Sequence, residues 1–165
     1  MALQESGVGR ALELTVSRGE KIKEKSTEDY GGVYYTNSLR VDRPIRLTGF
    51  TFFAPVTPGY TEYSVIVRKM RGEEVVGRFQ VSKSMAELRG VTNQRIRINP
   101  PWQIPIEANV WYDVKFKIEG PKTPFLENKE RDQVVYSDDP PRRALATFYF
   151  FTGSGQLPEY HFVLA

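Results

Sequence analysis

An all-β fold, an antiparallel β-sandwich with at most one short helix, is what this sequence predicts. Three observations support it. Apolar residues recur with a period of two, Pro and Gly break the chain at short intervals, and only one stretch carries helix-start and helix-stop signals. At 165 residues the chain is the size of one domain, and such a domain buries roughly 70% of its extended-chain surface without a disulfide or metal staple.

In chain order, residues 1–9 are expected to be a disordered leader to a single domain spanning 10–164. Strands are expected at Leu12 to Val16, Leu39 to Val41 and Ile45 to Phe53. In the last of these, Ile45 and Leu47 lie on one face before Gly49, and Phe50 and Phe52 follow in the opposite phase, which predicts a β-bulge or a strand buried on both sides. Tyr63, Val65 and Val67 alternate with Ser64, Ile66 and Arg68. After the Arg71-Gly72 turn, Val75, Gly77, Phe79 and Val81 alternate with Val76, Arg78 and Gln80, so the two runs form a hairpin.

Ser84 and Glu87 stand at capping-box spacing, with Gly90 as a stop, so Ser84 to Gly90 reads as a helix of one or two turns. Ile96 and Ile98 mark a short strand. The clearest strand is Val110 to Ile118, with Val110, Tyr112, Val114, Phe116 and Ile118 on the buried face. Ala144 to Phe151 is apolar on both faces, as expected of a strand at the centre of a sandwich, and Leu157 to Leu164 is the last strand. Thr123 to Pro141 breaks the pattern with its charges and Asp138-Asp139-Pro140-Pro141, and reads as a long loop, either functional or mobile.

The chemistry-bearing residues are few. There is no cysteine, which removes thiolate nucleophiles, Cys-based zinc and iron–sulfur sites and disulfide scaffolds. The single histidine, His161, is two residues from Glu159 on the same strand face, so a surface contact between them is expected rather than acid–base chemistry. Gly153-Ser154-Gly155 lacks the Lys and helix of a phosphate-binding loop and is not a nucleophile elbow. The acidic residues have no EF-hand spacing. No enzyme activity, catalytic residue, metal or cofactor is therefore expected, although a spatially paired set of carboxylates lies beyond what spacing reveals.

The 23 basic residues nearly balance the 20 acidic ones, for a net charge of +3 and a pI near 9.1. Arg40, Arg43, Arg46, Arg68, Arg78, Arg95 and Arg97 are spread through strand-like segments, which reads as a solvated face rather than a phosphate-binding one, and nucleic acid is not an expected partner. No apolar leader, no run of 18 apolar residues and no glycosylation sequon occurs. No membrane association is expected, and the expected location is the cytoplasm. Most aromatics fall in phase with the core. Trp111 shares the polar face of its strand with Asp113 and Lys115, and lies either under a loop or exposed for binding.

Several segments resemble a known family. Ser38-Leu39-Arg40-Val41-Asp42-Arg43-Pro44-Ile45-Arg46-Leu47-Thr48-Gly49-Phe50 is similar to the first strand pair of PHR domains, and Tyr60-Thr61-Glu62-Tyr63-Ser64-Val65 to the next strand. Pro105 to Tyr112, with Asn109-Val110-Trp111-Tyr112, continuing to Ile118-Glu119-Gly120-Pro121, resembles the Asn-Val-x-Tyr strand and following loop. Gly155-Gln156-Leu157-Pro158-Glu159 resembles the Gly-Gln-Ile-Pro-Glu signature of the last strand. The resemblance covers roughly residues 10 to 164. The chain departs from the family in its short loop before Gly155 and its lack of cysteines, which makes it a divergent member.

The resemblance implies an antiparallel sandwich with binding loops at one end and no catalytic role. It implies recruitment of a ubiquitylation substrate or other protein partner to a ubiquitin-ligase adaptor of the BTB type. Such an adaptor reaches cullin-3 through a separate BTB domain, which is not in this chain. The rival from another class is a carbohydrate-binding sandwich, which would expose several coplanar aromatics. A hydrolase on a jelly-roll frame would need clustered His or carboxylate groups. Because sandwich strands are occupied with their own core, partner binding is assigned to connecting loops: Pro55, Pro58 and Tyr60 in one, Lys122, Thr123 and Phe125 in another, and Ser154 and Gln156 in the last turn. These three connections are expected to cluster at one end.

Overall fold

A computed structural model describes residues 12–18, 22–28, 31–90, 94–126, 132–151 and 155–165. Among the described residues, thirteen strands and one helix follow in the order β1 (Leu14–Ser17), β2 (Ile22–Glu28), β3 (Tyr34–Val41), β4 (Ile45–Phe53), β5 (Thr61–Lys69), β6 (Val75–Lys83), α1 (Met85–Arg89), β7 (Arg95–Ile98), β8 (Ile104–Ile106), β9 (Tyr112–Glu119), β10 (Thr123–Leu126), β11 (Asp132–Tyr136), β12 (Ala144–Phe151) and β13 (Glu159–Leu164). They form the all-β sandwich that the period-two pattern predicts. One sheet runs β1-β13-β4-β7, with β8 pairing the first half of β4 where β7 pairs the second. The other runs β11-β12-β3-β9-β5-β6, and β10 pairs with β2 in a separate two-stranded ribbon. The ladders between described strands are antiparallel.

The core lies between the two sheets. From the six-stranded sheet, Tyr63, Val65, Val67, Tyr112, Val114, Phe116, Phe148 and Phe150 point inward. From the other come Ile45, Leu47, Phe50, Phe52, Tyr160 and Phe162. Aromatic rings join the layers: Phe52 meets Tyr63 at 5.1 Å and Phe116 edge-on at 5.8 Å, and Phe148 meets Phe162 edge-on at 4.9 Å. Such offset and edge contacts add to the stabilisation from burying the rings.

The phase change in β4 is a bulge. His161 of β13 faces Gly49 and Phe162 faces Leu47, so Thr48 is the extra residue. After it, Phe50, Thr51, Phe52 and Phe53 are all buried, so both readings of the phase change hold in one strand. A side chain at Gly49 would place its Cβ 2.5 Å from Arg97 Nε. Glycine there makes room for a guanidinium to cross the bulge.

Helix α1 carries the expected capping box: Ser84 Oγ accepts from Glu87 N at 3.1 Å, and Glu87 Oε1 accepts from Ser84 N at 2.9 Å. Other expectations are corrected. The segment 123–141 is not one long loop, since it contains β10 and β11. Strand β11 pairs on one side only and alternates exposed with half-buried residues, so it needs little apolar sequence. Strand β12 is not buried on both faces: Ala146, Phe148 and Phe150 are in the core, but Tyr149 is half-buried and Phe151 is 74% exposed. Only one face of its sheet meets the other layer. Strand β3 begins at Tyr34 rather than Leu39, and β2 and β8 were not expected. The leader expected at residues 1–9 lies outside the described residues.

Candidate functional site

The connection 54–60 between β4 and β5, the turn after β9 leading into β10, and the turn before β13 meet at one end of the sandwich. Gln156 ties them together. Its Oε1 accepts from Phe53 N at 3.0 Å, and its Nε2 donates to Thr123 Oγ1 at 2.5 Å and to Pro124 O at 3.4 Å. Thr123 Oγ1 donates in turn to Pro124 O at 2.9 Å. Val56 N donates to Lys122 O at 2.9 Å, and a Cβ at Gly59 would stand 2.7 Å from Pro121 Cγ, so the first two connections are in close contact.

The turn carrying Gln156 is itself braced. Arg18, fully buried, donates from Nε to Leu157 O at 2.9 Å and from Nη2 to Gln156 O, and its backbone N donates to Pro158 O at 2.7 Å. Asn37 Nδ2 reaches Gln156 O at 3.4 Å. Leu157 has φ +61°, a left-handed conformation that costs a non-glycine residue roughly 1–2 kcal/mol, and it is fully buried among these bonds. A backbone held in an unfavourable region by surrounding contacts keeps one shape.

The sequence-selected residues divide accordingly. Pro58, Tyr60 and Lys122 are exposed, and Phe125, which lies on strand β10 with Thr123 rather than in a loop as expected, is half-buried, so these can meet a partner. Tyr60 is held upright by its hydroxyl, which donates to Ser82 Oγ at 2.9 Å. Pro55, Thr123 and Gln156 are buried. Thr123 and Gln156 serve as the fastening beneath the surface instead of forming it, because their polar atoms are used by the neighbouring loops. Ser154 lies outside the described residues. Arg18 was missed by sequence reading: a lone arginine early in the chain gives no signal that it will reach a turn about 140 positions later.

His161 does not contact Glu159 as expected. It is buried on the outer side of the five-stranded sheet, with Nδ1 2.8 Å from Thr15 Oγ1 and Nε2 2.6 Å from Thr51 Oγ1. Burial, and then the nearby Arg97 cation, hold its pKa below the ordinary value, while Glu159 and Glu13 oppose the shift. Glu159 pairs instead with Arg95 at 2.8 Å. Glu13 accepts two bonds from Arg97, at 2.6 and 2.5 Å, and one from Thr48 Oγ1 at 2.6 Å. The Arg97 bonds are the main reason its carboxyl pKa falls to about 2, against the opposing effect of burial. Among the described residues no carboxylate orients His161, and no three His, Asp or Glu side chains converge as metal ligands. The arrangement is a layer of structural hydrogen bonds and ion pairs.

Trp111 is half-buried beside a 620 Å³ hollow lined also by Met70, Arg71, Asn109 and Val110, with the Arg40 guanidinium 5.6 Å from its ring centre.

No family model matches the chain, and no curated protein matches it. Solved structures of infectious bursal disease virus show a distant likeness. The VP2 subviral particle is 13% identical with a TM-score of 0.38, over 95% of this chain and 38% of that one. The Gx strain structure is 12% identical with a TM-score of 0.34, over 93% of this chain and 37% of that one, and the Gt strain structure is 12% identical at 0.35, over 94% and 36%. The chain spans little more than a third of the length of these proteins, and a likeness this slight bears on neither its architecture nor its role.

Proposed function

We propose that this chain is a non-catalytic protein-recognition module that grips its partner with the loop end of the sandwich. The observation that carries this reading is the Gln156 fastening, which joins three sequence-distant connections into one surface presenting Pro58, Tyr60, Lys122 and Phe125. A partner that docks on loops already held in place loses less conformational entropy than one that must order them. Aromatic anchors ringed by polar groups are the usual carriers of interface energy. The resemblance to PHR domains supports a finer reading: a partner-recruiting module of a cytoplasmic ubiquitin-ligase adaptor of the BTB, cullin-3 type. The piece of sequence that most carries that resemblance, Gly155 to Glu159, contains the fastening residue.

The test is a Tyr60→Ala/Phe125→Ala double variant, with its melting temperature compared with wild type, in quantitative partner capture from cells expressing the full-length protein. The expected result is about a 30-fold loss of partner, equivalent to about 2 kcal/mol. Undiminished capture by a fully folded double variant refutes the choice of surface. Partner binding that a free oligosaccharide competes away would favour the carbohydrate-binding alternative.

A further inference from the structure

The outer face of the six-stranded sheet collects charges that the sequence scatters. Pairing places Arg40 beside Tyr149, Asp113 beside Ser38 and Arg68, and Lys115 beside Thr36 and Ile66, with Arg78 across from Ile66. The next row along β9 places Lys117 between Tyr34 and Ser64. Alternation points these residues away from the core. Arg40, Arg68, Lys115 and Lys117 on the inner strands and Arg78 on the edge strand β6 thus share one face; Asp113 accepts from Ser38 Oγ at 2.9 Å and lies 3.7 Å from Arg68, which also pairs with Glu73 at 3.0 Å, and Lys117 lies 3.4 Å from Glu119. The other acids of this face stand at its borders: Asp132 on the edge strand β11, and Glu62 and Glu119 in the last row beside the loop end. In the other sheet Arg95 and Arg97 are each paired with a glutamate, as Arg68 is with Glu73 here.

Three of these cations, Arg40, Lys115 and Arg78, make no ion pair among the described residues. Arg40 lies over aromatic rings instead, its guanidinium carbon 4.5 Å from the centre of Tyr149 and 5.6 Å from that of Trp111. Two further aromatics lie in the neighbouring rows: Phe151, 74% exposed opposite Ser38, and Tyr34, 46% exposed with Lys117 Nζ 5.2 Å from its ring centre. A solvent-facing Phe on a polar sheet contributes nothing to the core. A cationic surface edged by open aromatic rings suits a ligand with regularly spaced anionic groups and flat apolar faces.

We infer that this face binds single-stranded nucleic acid, with phosphates on Arg40, Lys115, Lys117 and Arg78 and bases stacked on Phe151 and Tyr34. The inference is independent of the loop-end reading, because the residues and surfaces differ. On this proposal the arginines do more than solvate their strands: strand pairing puts Arg40, Arg68 and Arg78 on one face, which linear spacing does not display.

Fluorescence anisotropy with a labelled 12-nucleotide oligo-dT and the matching oligo-U tests it. Wild type should bind, with log affinity falling against log salt at a slope of about −3, as expected for four or five phosphate contacts on a single strand. Lys115→Glu/Arg78→Glu should weaken binding at least tenfold, and Phe151→Ala about tenfold with little change in salt slope, the loss expected of one stacked base. All three positions are at the surface, and a melting temperature near that of wild type certifies the fold of each variant. No binding by wild type overturns the inference. So does unchanged affinity of the charge-reversed variant, or equal affinity for polyglutamate or heparin of similar length, which would reduce the face to a general polyanion surface.

Discussion

Replacing Gln156 tests whether the loop end is fastened as described. In Gln156→Ala the N–H of Phe53 loses its acceptor, at a residue only 1% exposed, while Thr123 Oγ1 and Pro124 O lose a donor. An orphaned buried donor costs about 1–3 kcal/mol and each lost hydrogen bond about 1 kcal/mol, so a total of about 3–5 kcal/mol is expected. For a domain of this length, 1 kcal/mol corresponds to roughly 2–4 °C, so the melting temperature should fall by about 10 °C. The bonds from Arg18 and Asn37 go to the main-chain carbonyl of Gln156 and survive the substitution. Gln156→Met keeps most of the volume and loses the same bonds, which separates hydrogen bonding from packing. Calorimetry gives the global cost, and hydrogen exchange of the Val56 N–H, bonded to Lys122 O, reports whether the first two connections part. A fall of less than about 2 °C in both variants, with exchange at Val56 unchanged, would refute the argument that Gln156 holds the three connections together.

Three other outcomes follow from the geometry. Tyr112→Ala should cost about 4 kcal/mol in denaturant unfolding because it empties a fully buried site, whereas Tyr112→Phe should cost only about 1 kcal/mol, for the bond its hydroxyl accepts from Glu107 N. Gly49→Ala should push the Arg97 guanidinium off the bulge, since the new Cβ would meet Nε at 2.5 Å and Asn99 Oδ1 at 2.8 Å; NMR titration should then show the Glu13 carboxyl returning from about 2 towards its ordinary 4.5, for a stability loss of about 1 kcal/mol or less at this half-exposed pair. Stability should also decline on the acid side in two stages. His161 is held below its ordinary 6.5 in the folded state, so the unfolded chain takes up its proton first and stability falls as pH drops below about 6.5; Glu13 is likewise lowered, so its contribution is complete above 4.5 and is lost as pH falls towards 2. Urea midpoints between pH 8 and pH 3 check both stages, and His161→Gln should abolish the upper one alone.

Elements with a strong local pattern are legible in the residues themselves. Val110 to Ile118 shows its buried face because Tyr112, Val114, Phe116 and Ile118 alternate with charges, and α1 shows its start because Ser84 and Glu87 bond to each other's backbone within one turn. Strands at the margin are not legible in this way. Strand β11 pairs with one neighbour, and β10 pairs with β2 in a ribbon apart from the main sheets, so neither needs the apolar alternation that marks a sheet centre. Strand β12 misleads in the opposite direction: Leu145, Tyr149 and Phe151 are apolar, yet they face outward, because hydrophobicity does not say whether a second layer exists on that side.

The sequence by itself determined the class of fold, the break of phase at Gly49 in β4 and the inward faces of β5 and β9. Each of these rests on neighbours in the chain, where the period of two and the backbone preferences of Gly, Pro and Ser act directly. Tertiary structure decided what distant strands bring together. It set His161 between Thr15 and Thr51 rather than against Glu159, buried Thr123 and Gln156 beneath the loops they were expected to crown, and gathered Arg40, Arg68, Arg78, Lys115 and Lys117 on one face. The reason is strand order: β9 lies between β3 and β5 although about 40 to 70 positions separate it from them in the chain, and which side chains become neighbours across a ladder depends on a pairing that no local spacing encodes.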